Sequence, residues 1–188
     1  MGTLVVTTFI SLDGVAEAPG GGDFKYAEWS FAFDRGEDGE RFKHDEALGA
    51  EALLIGRTTY EGFAAAWPDY EGELADKYNS MPKYVVSTTL TDPAWNNTRV
   101  LSGDVVAEVT KLKNEVTGEI QVPGSIRLVQ ALLAADLVDE IHLMTFPVIL
   151  GTGRRLFAET PEKTKWHLTQ SKTFGEGIPV TVYQRDLS

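Results

Sequence analysis

The chain has 188 residues, 28 acidic against 17 basic side chains, a formal net charge of −11, and no cysteine. Its length suits one globular domain over residues 1–188, and 43% hydrophobic with 10% aromatic content excludes an intrinsically disordered chain. The missing cysteines exclude disulfides, thiolate catalysis and Cys-ligated metal centres, while the acidic excess opposes general nucleic-acid binding, with no basic cluster beyond Arg154 and Arg155. No basic, cleavable leader opens the chain, and no apolar run approaches the roughly 18 to 20 residues of a membrane span. A cytoplasmic protein with no membrane partner is the expectation.

Residues 4–10 are β-branched and apolar and predict a first strand, closed by a turn at Ser11, Leu12, Asp13 and Gly14. The following loop, residues 19–39, interleaves glycines with Trp29, Phe31 and Phe33. Such rings either plug the edge of a core or line a cleft for a planar ligand. A short helix is expected over 39–48 and a buried strand over 50–55; a helix then begins at Gly56 and runs to about Ala66, stopped by Trp67 and Pro68. Strands are expected over 83–87 and 99–101, and a helix over 105–116 with Val105, Val109, Leu112 and Val116 on one face. A strand over 119–122, a helix over 125–135 and a strand over 139–148 follow, then two strands over 165–173 and 180–185 joined by a turn. This alternation predicts an α/β fold whose sheet is largely parallel and covered on both faces, with antiparallel strands at the C-terminal end.

Two strand-to-helix junctions suit either plain helix starts or the binding of an anion. At Gly56, Arg57, Thr58 and Thr59 a buried strand meets a helix start, with Thr58 and Glu61 spaced as a capping box. Glycine permits close backbone approach, free helix amides favour an anion, and Arg57 can fork onto a phosphate. Gly124, Ser125, Ile126, Arg127 and Leu128 repeat the arrangement, and two such starts in one sheet suit a ligand with more than one phosphate. A strand also ends in the hydroxyls of Ser87 and Thr88, which suit either a turn or a ribose. A Gly-x-Gly-x-x-Gly turn does not follow the first strand, and the three histidines are isolated, so no metal site is expected; His142 and His167 read as surface strand residues.

In this order the segments FISLDGV (9–15), LIGRTTYE (54–61), KYVVS (83–87), Gly124-Ser125 before a helix, LVDEI (137–141) and FPVILGTG (146–153) resemble the dihydrofolate reductase-like superfamily. The likeness is greatest to the C-terminal reductase domain of the bifunctional riboflavin-biosynthesis deaminase-reductase, without its deaminase domain. It implies a three-layer α/β/α fold with a mixed, mostly parallel eight-stranded sheet, an NADPH site and a homodimer. By resemblance, Gly56, Arg57, Thr58 and Thr59 would hold phosphates, with Arg57 favouring the 2′-phosphate of NADPH. Ser87 and Thr88 would flank the adenosine, and Gly124 to Leu128, with a cis bond between Gly124 and Ser125, would face the pyrophosphate and nicotinamide. Thr8, Asp13, Gly14 and Val15 would approach the nicotinamide.

The implied activity is hydride transfer from NADPH to a C=N or C=O bond of a small heterocyclic or sugar-phosphate substrate, as in 5-amino-6-(5-phosphoribosylamino)uracil reductase. A diverged dihydrofolate reductase and a nucleotide-binding protein without turnover are the alternatives. Trp29, Phe31, Phe33, Trp67 and Phe146 are candidates for the cleft wall, and Asp34 or Asp38 for orienting or protonating the substrate.

Overall fold

The computed structural model describes residues 1–160 and 162–186. Eight strands form one sheet: β1 (Thr3–Ser11), β2 (Ala52–Gly56), β3 (Lys83–Val86), β4 (Thr98–Leu101), β5 (Glu119–Val122), β6 (Glu140–Phe146), β7 (Trp166–Phe174) and β8 (Ile178–Arg185). Among the described residues, five α-helices accompany them: α1 (Gly36–Gly49), α2 (Arg57–Ala66), α3 (Glu73–Ser80), α4 (Val105–Glu115) and α5 (Ile126–Ala134). The strand order is β4-β3-β2-β5-β1-β6-β8-β7, parallel throughout except β8, which runs antiparallel to both neighbours. The expected α/β class, eight-stranded mixed sheet and antiparallel C-terminal end are what the chain forms.

Successive strand side chains point to opposite faces, so each central strand contributes to two cores. On one face Leu4 and Val6 of β1, Leu54 of β2 and Ile120 and Val122 of β5 pack against Val109 and Leu112 of α4 and Leu128, Val129 and Leu132 of α5. On the other, Leu53 and Ile55 of β2 and Val85 of β3 pack with Ala47 of α1, Tyr60 of α2 and Tyr78 of α3. A third cluster, built on Trp29, Met144, Phe146, Ile178 and Val180, closes the β6–β8 end.

Helix α3 lies where no element was expected. Its eight residues bury only Ala75 and Tyr78, too few apolar positions for a clear helical period. A residue of the next strand completes its end: the fully buried Lys83 donates from Nζ to the carbonyls of Tyr78 (2.7 Å), Met81 (2.8 Å) and Asn79 (3.3 Å). An ammonium there satisfies carbonyls that helix geometry leaves open and complements the helix dipole.

Candidate functional site

Helices α2 and α5 begin side by side at the carboxyl ends of β2 and β5. The register Leu53 to Gln121 continues upward until the Gly56 N–H donates to the Gly124 carbonyl at 3.3 Å. The Gly124–Ser125 peptide bond is cis, as expected. Thr59 Oγ1 and Ser125 Oγ lie 3.1 Å apart across the junction. A Cβ on Gly56 would run into Ser125 Oγ and stand 3.0 Å from Ser125 Cβ, and one on Gly124 would stand 2.8 Å from Thr59 Oγ1. Only glycine at both positions lets the two helix starts approach this closely.

The helix starts differ from the expected capping box. Helix α2 begins at Arg57, so the residue at its N-cap is Gly56, which has no side chain to offer, and Thr58 falls in the first turn. Glu61 instead meets Arg57 at 3.6 Å, with both side chains about half exposed. Ser125 occupies the N-cap of α5, and its hydroxyl is turned to Thr59 rather than to its own helix. Both sets of first-turn amides therefore remain available to an anionic ligand. Arg127 is exposed, Ile126 is half-buried and Leu128 is a core residue, so Leu128 can offer a ligand only its backbone. The Ser87 hydroxyl accepts the amides of Thr89 (3.2 Å) and Leu90 (3.0 Å), which makes it a turn former, while Thr88 is exposed beside it.

The exit of β1 is clamped to residues 147–156. Asp13 accepts the Ser11 hydroxyl (2.6 Å) and the amides of Leu150 (3.1 Å) and Gly151 (2.9 Å). The Ser11 bond first, and then these amides, hold its carboxyl down at about 2 against an opposing effect of burial. Gly14 turns at φ 82°, Val15 bridges to Arg155, and the Gly14 carbonyl accepts the Leu156 amide at 2.9 Å. Thr8, half-buried on β1, stands in the same row of the sheet as Gly124, because Val6 pairs with Val122 two residues earlier.

The five aromatic candidates do not form one wall. Trp29 and Phe146 are buried core residues, with ring centroids 5.5 Å apart, and Phe33 joins them at 5.8 Å from Phe146. Phe31 is exposed. Trp67 belongs to the α2–α3 core, 4.4 Å from the Tyr78 ring, because the chain folds residue 67 over β2 and β3 rather than over β6. Phe9 of β1 faces two cations, with Arg35 Cζ at 5.1 Å and Lys43 Nζ at 5.5 Å from its centroid. Asp34 and Asp38 are exposed: Asp34 accepts the Gly36 amide at the start of α1 (2.7 Å), and Asp38 pairs with Arg41 at 3.1 Å.

His142 corrects the sequence reading. It faces inward from β6 beneath α1, where Nδ1 lies 2.5 Å from Glu46 Oε1 and Nε2 lies 3.2 Å from Glu140 Oε2. Glu46 Oε2 in turn pairs with Lys43 Nζ, which donates to Thr7 Oγ1 at 2.6 Å. Burial alone would lower the His142 pKa, but the bond and charge of Glu46, joined by Glu140 and Glu119, hold it above the ordinary value. Burial likewise opposes ionisation of Glu46, yet Lys43 and His142 keep its carboxyl below the usual range. The signal was present in the period of two: residue 142 shares a strand face with 144 and 146, both core positions.

Known proteins place this geometry in a lineage. The Bacillus subtilis uncharacterized protein YyaP is 32% identical over 138 residues, covering 71% of this chain and 73% of its own. A Shewanella sp. PV-4 protein named for riboflavin biosynthesis superposes with a TM-score of 0.79 at 22% identity, covering 98% of this chain and 99% of that one. Enterococcus faecalis dihydrofolate reductase, solved with NADP(H), superposes with a TM-score of 0.60 at 14% identity over 98% of this chain and 96% of its own, which establishes a shared fold. The family model of the RibD C-terminal domain matches residues 2–180, and the chain belongs to that family.

Proposed function

We propose that the protein is an NADPH-dependent reductase acting on a C=N or C=O bond of a small heterocyclic or sugar-phosphate substrate. The observation that carries this reading is the junction of α2 and α5, where Gly56 and Gly124 bring two helix N-termini to one point and a Cβ at either would fill the space. A dinucleotide's phosphates fit such a pair of amide-lined starts, and Arg57, paired with the half-exposed Glu61, can swing onto a 2′-phosphate. When bound, the nicotinamide supplies the hydride; the chain's own task is to orient two rings and exclude water. By resemblance to the riboflavin-biosynthesis reductase domain, the substrate we favour is 5-amino-6-(5-phosphoribosylamino)uracil. The reading extends to a cytoplasmic homodimer, supported by the exposed Leu168 on the edge strand β7.

Titration calorimetry with NADPH and NADH tests the cofactor. The wild type is expected to prefer NADPH, and Arg57→Ala to lose roughly 10- to 100-fold in NADPH affinity, the worth of one charge-assisted contact, with NADH affinity little changed. Equal losses for both nucleotides would remove Arg57 from 2′-phosphate recognition.

A further inference from the structure

The side chains of Lys43, Glu46, His142 and Glu140 form a continuous hydrogen-bonded line through the layer between α1 and the sheet. Its middle is buried and its ends are not: Glu46 and His142 are 8% and 13% exposed, against 22% for Lys43 and 24% for Glu140. The Lys43 end rests on Thr7 and faces the Phe9 ring, one residue below the row that holds Thr8 and Gly124. The Glu140 end sits beside Val5, farther from that row, and lines a surface groove with Asp139, Gln184 and Arg185. The groups facing this line from the surrounding elements are Glu119 on β5, Tyr78 on α3 and Gln184 on β8, the last donating to Glu140 at 3.0 Å. An ion pair needed only to fasten α1 to the sheet would not require a chain of four groups running from a surface groove at Glu140 to Thr7 and Phe9, next to the β1 row that holds Thr8.

We propose that this line delivers the proton of the reduction proposed above, on which it rests, with Lys43 as the cleft-side donor and His142 as the store that refills it. As hydride adds to the carbon of the C=N or C=O bond, an N–H bond of the Lys43 ammonium breaks and its proton joins the substrate nitrogen or oxygen. The neutral Lys43 amine then takes a proton from Glu46, which has received one from the His142 imidazolium, and His142 regains its proton from water in the Glu140 groove. The nicotinamide is oxidised, the substrate is reduced, and one solvent proton is consumed per turnover. The elevated pKa of His142 suits a group that holds a proton near neutrality.

Lys43→Arg tests the donor, because arginine keeps the charge and the pairing with Glu46 but does not release a proton near neutral pH. With NADPH and 5-amino-6-(5-phosphoribosylamino)uracil, turnover is expected to fall by about 100-fold or more, the usual worth of a general acid, with NADPH affinity and unfolding midpoint near wild type. A Lys43→Arg rate within a few fold of wild type overturns the donor assignment. A second readout needs no substrate: the imidazole nitrogens of His142 are titrated by NMR in the NADPH and NADP+ complexes. The oxidised ring adds a positive charge near the Lys43 end, so the His142 midpoint is expected to be lower by roughly 0.3 to 0.6 pH unit in the NADP+ complex. Equal midpoints with both nucleotides bound overturn the line alone, whereas failure of either nucleotide to bind overturns the cofactor reading instead.

Discussion

Gly56→Ala is expected to weaken NADPH binding at least tenfold and to lower the unfolding free energy by about 1–3 kcal/mol, the usual cost of forcing an added methyl into a packed site. The new Cβ would collide with Ser125 Oγ and press on Ser125 Cβ at 3.0 Å, and the Thr59 to Ser125 contact leaves that side chain little room to retreat. Relief requires the start of α5 to move away from the start of α2, which separates the two rows of amides. Gly62→Ala is the control. Gly62 lies in the same helix, exposed, and an added Cβ meets nothing within 4 Å. There the change should stabilise by about 0.5–1 kcal/mol, the helix preference for alanine, and leave NADPH affinity unchanged. Urea unfolding and calorimetry on the two variants decide it. Equal NADPH affinities would show that the glycine junction does not hold the ligand.

Glu46→Ala carries the largest expected cost in stability. It leaves the Lys43 ammonium and the His142 ring facing each other beneath α1 with their shared carboxylate gone, a loss of about 3–5 kcal/mol for breaking a buried pair from one side. The stability supplied by this cluster depends on pH. His142 has a folded pKa above its ordinary 6.5, so its stabilisation is complete below pH 6.5 and is lost as pH rises through the folded value. Glu46 is depressed from 4.5, so its stabilisation is present above pH 4.5 and is lost as pH falls through its folded value. Glu119, whose carboxyl burial raises, adds a decline of the same sign as that of His142 from about pH 4.5 upward. Comparison with His142→Gln isolates the histidine: wild-type stability should fall above pH 6.5 more steeply than that of the variant. Parallel curves across pH 6 to 8 would mean that folding leaves the His142 pKa unchanged.

The parts of this molecule that could be read from the sequence are those set by local chemistry. A short strand pattern, a glycine and a helix start mark β2 and α2, and again β5 and α5, so both halves of the candidate site are visible separately. That they meet depends on β5 entering the sheet between β2 and β1, a pairing between segments more than sixty residues apart. The same dependence separates the aromatics: nothing in the local sequence of Trp67 distinguishes its partner Tyr78 from Phe146, and only the path of the chain assigns it. His142 departs from the expected surface position for another reason. Polar residues on strands usually face solvent, and here the opposing α1 supplies Glu46, one turn from Lys43, to make an inward histidine stable.

A backbone amide NMR titration of the wild-type protein with NADPH decides whether α2 and α5 together hold a nicotinamide dinucleotide. Saturable binding of one NADPH per chain is expected, with the largest shifts on the amides of Gly56, Arg57, Thr58 and Thr59 and of Ser125, Ile126, Arg127 and Leu128. No shift at millimolar NADPH, or shifts confined to other parts of the sheet, would contradict it.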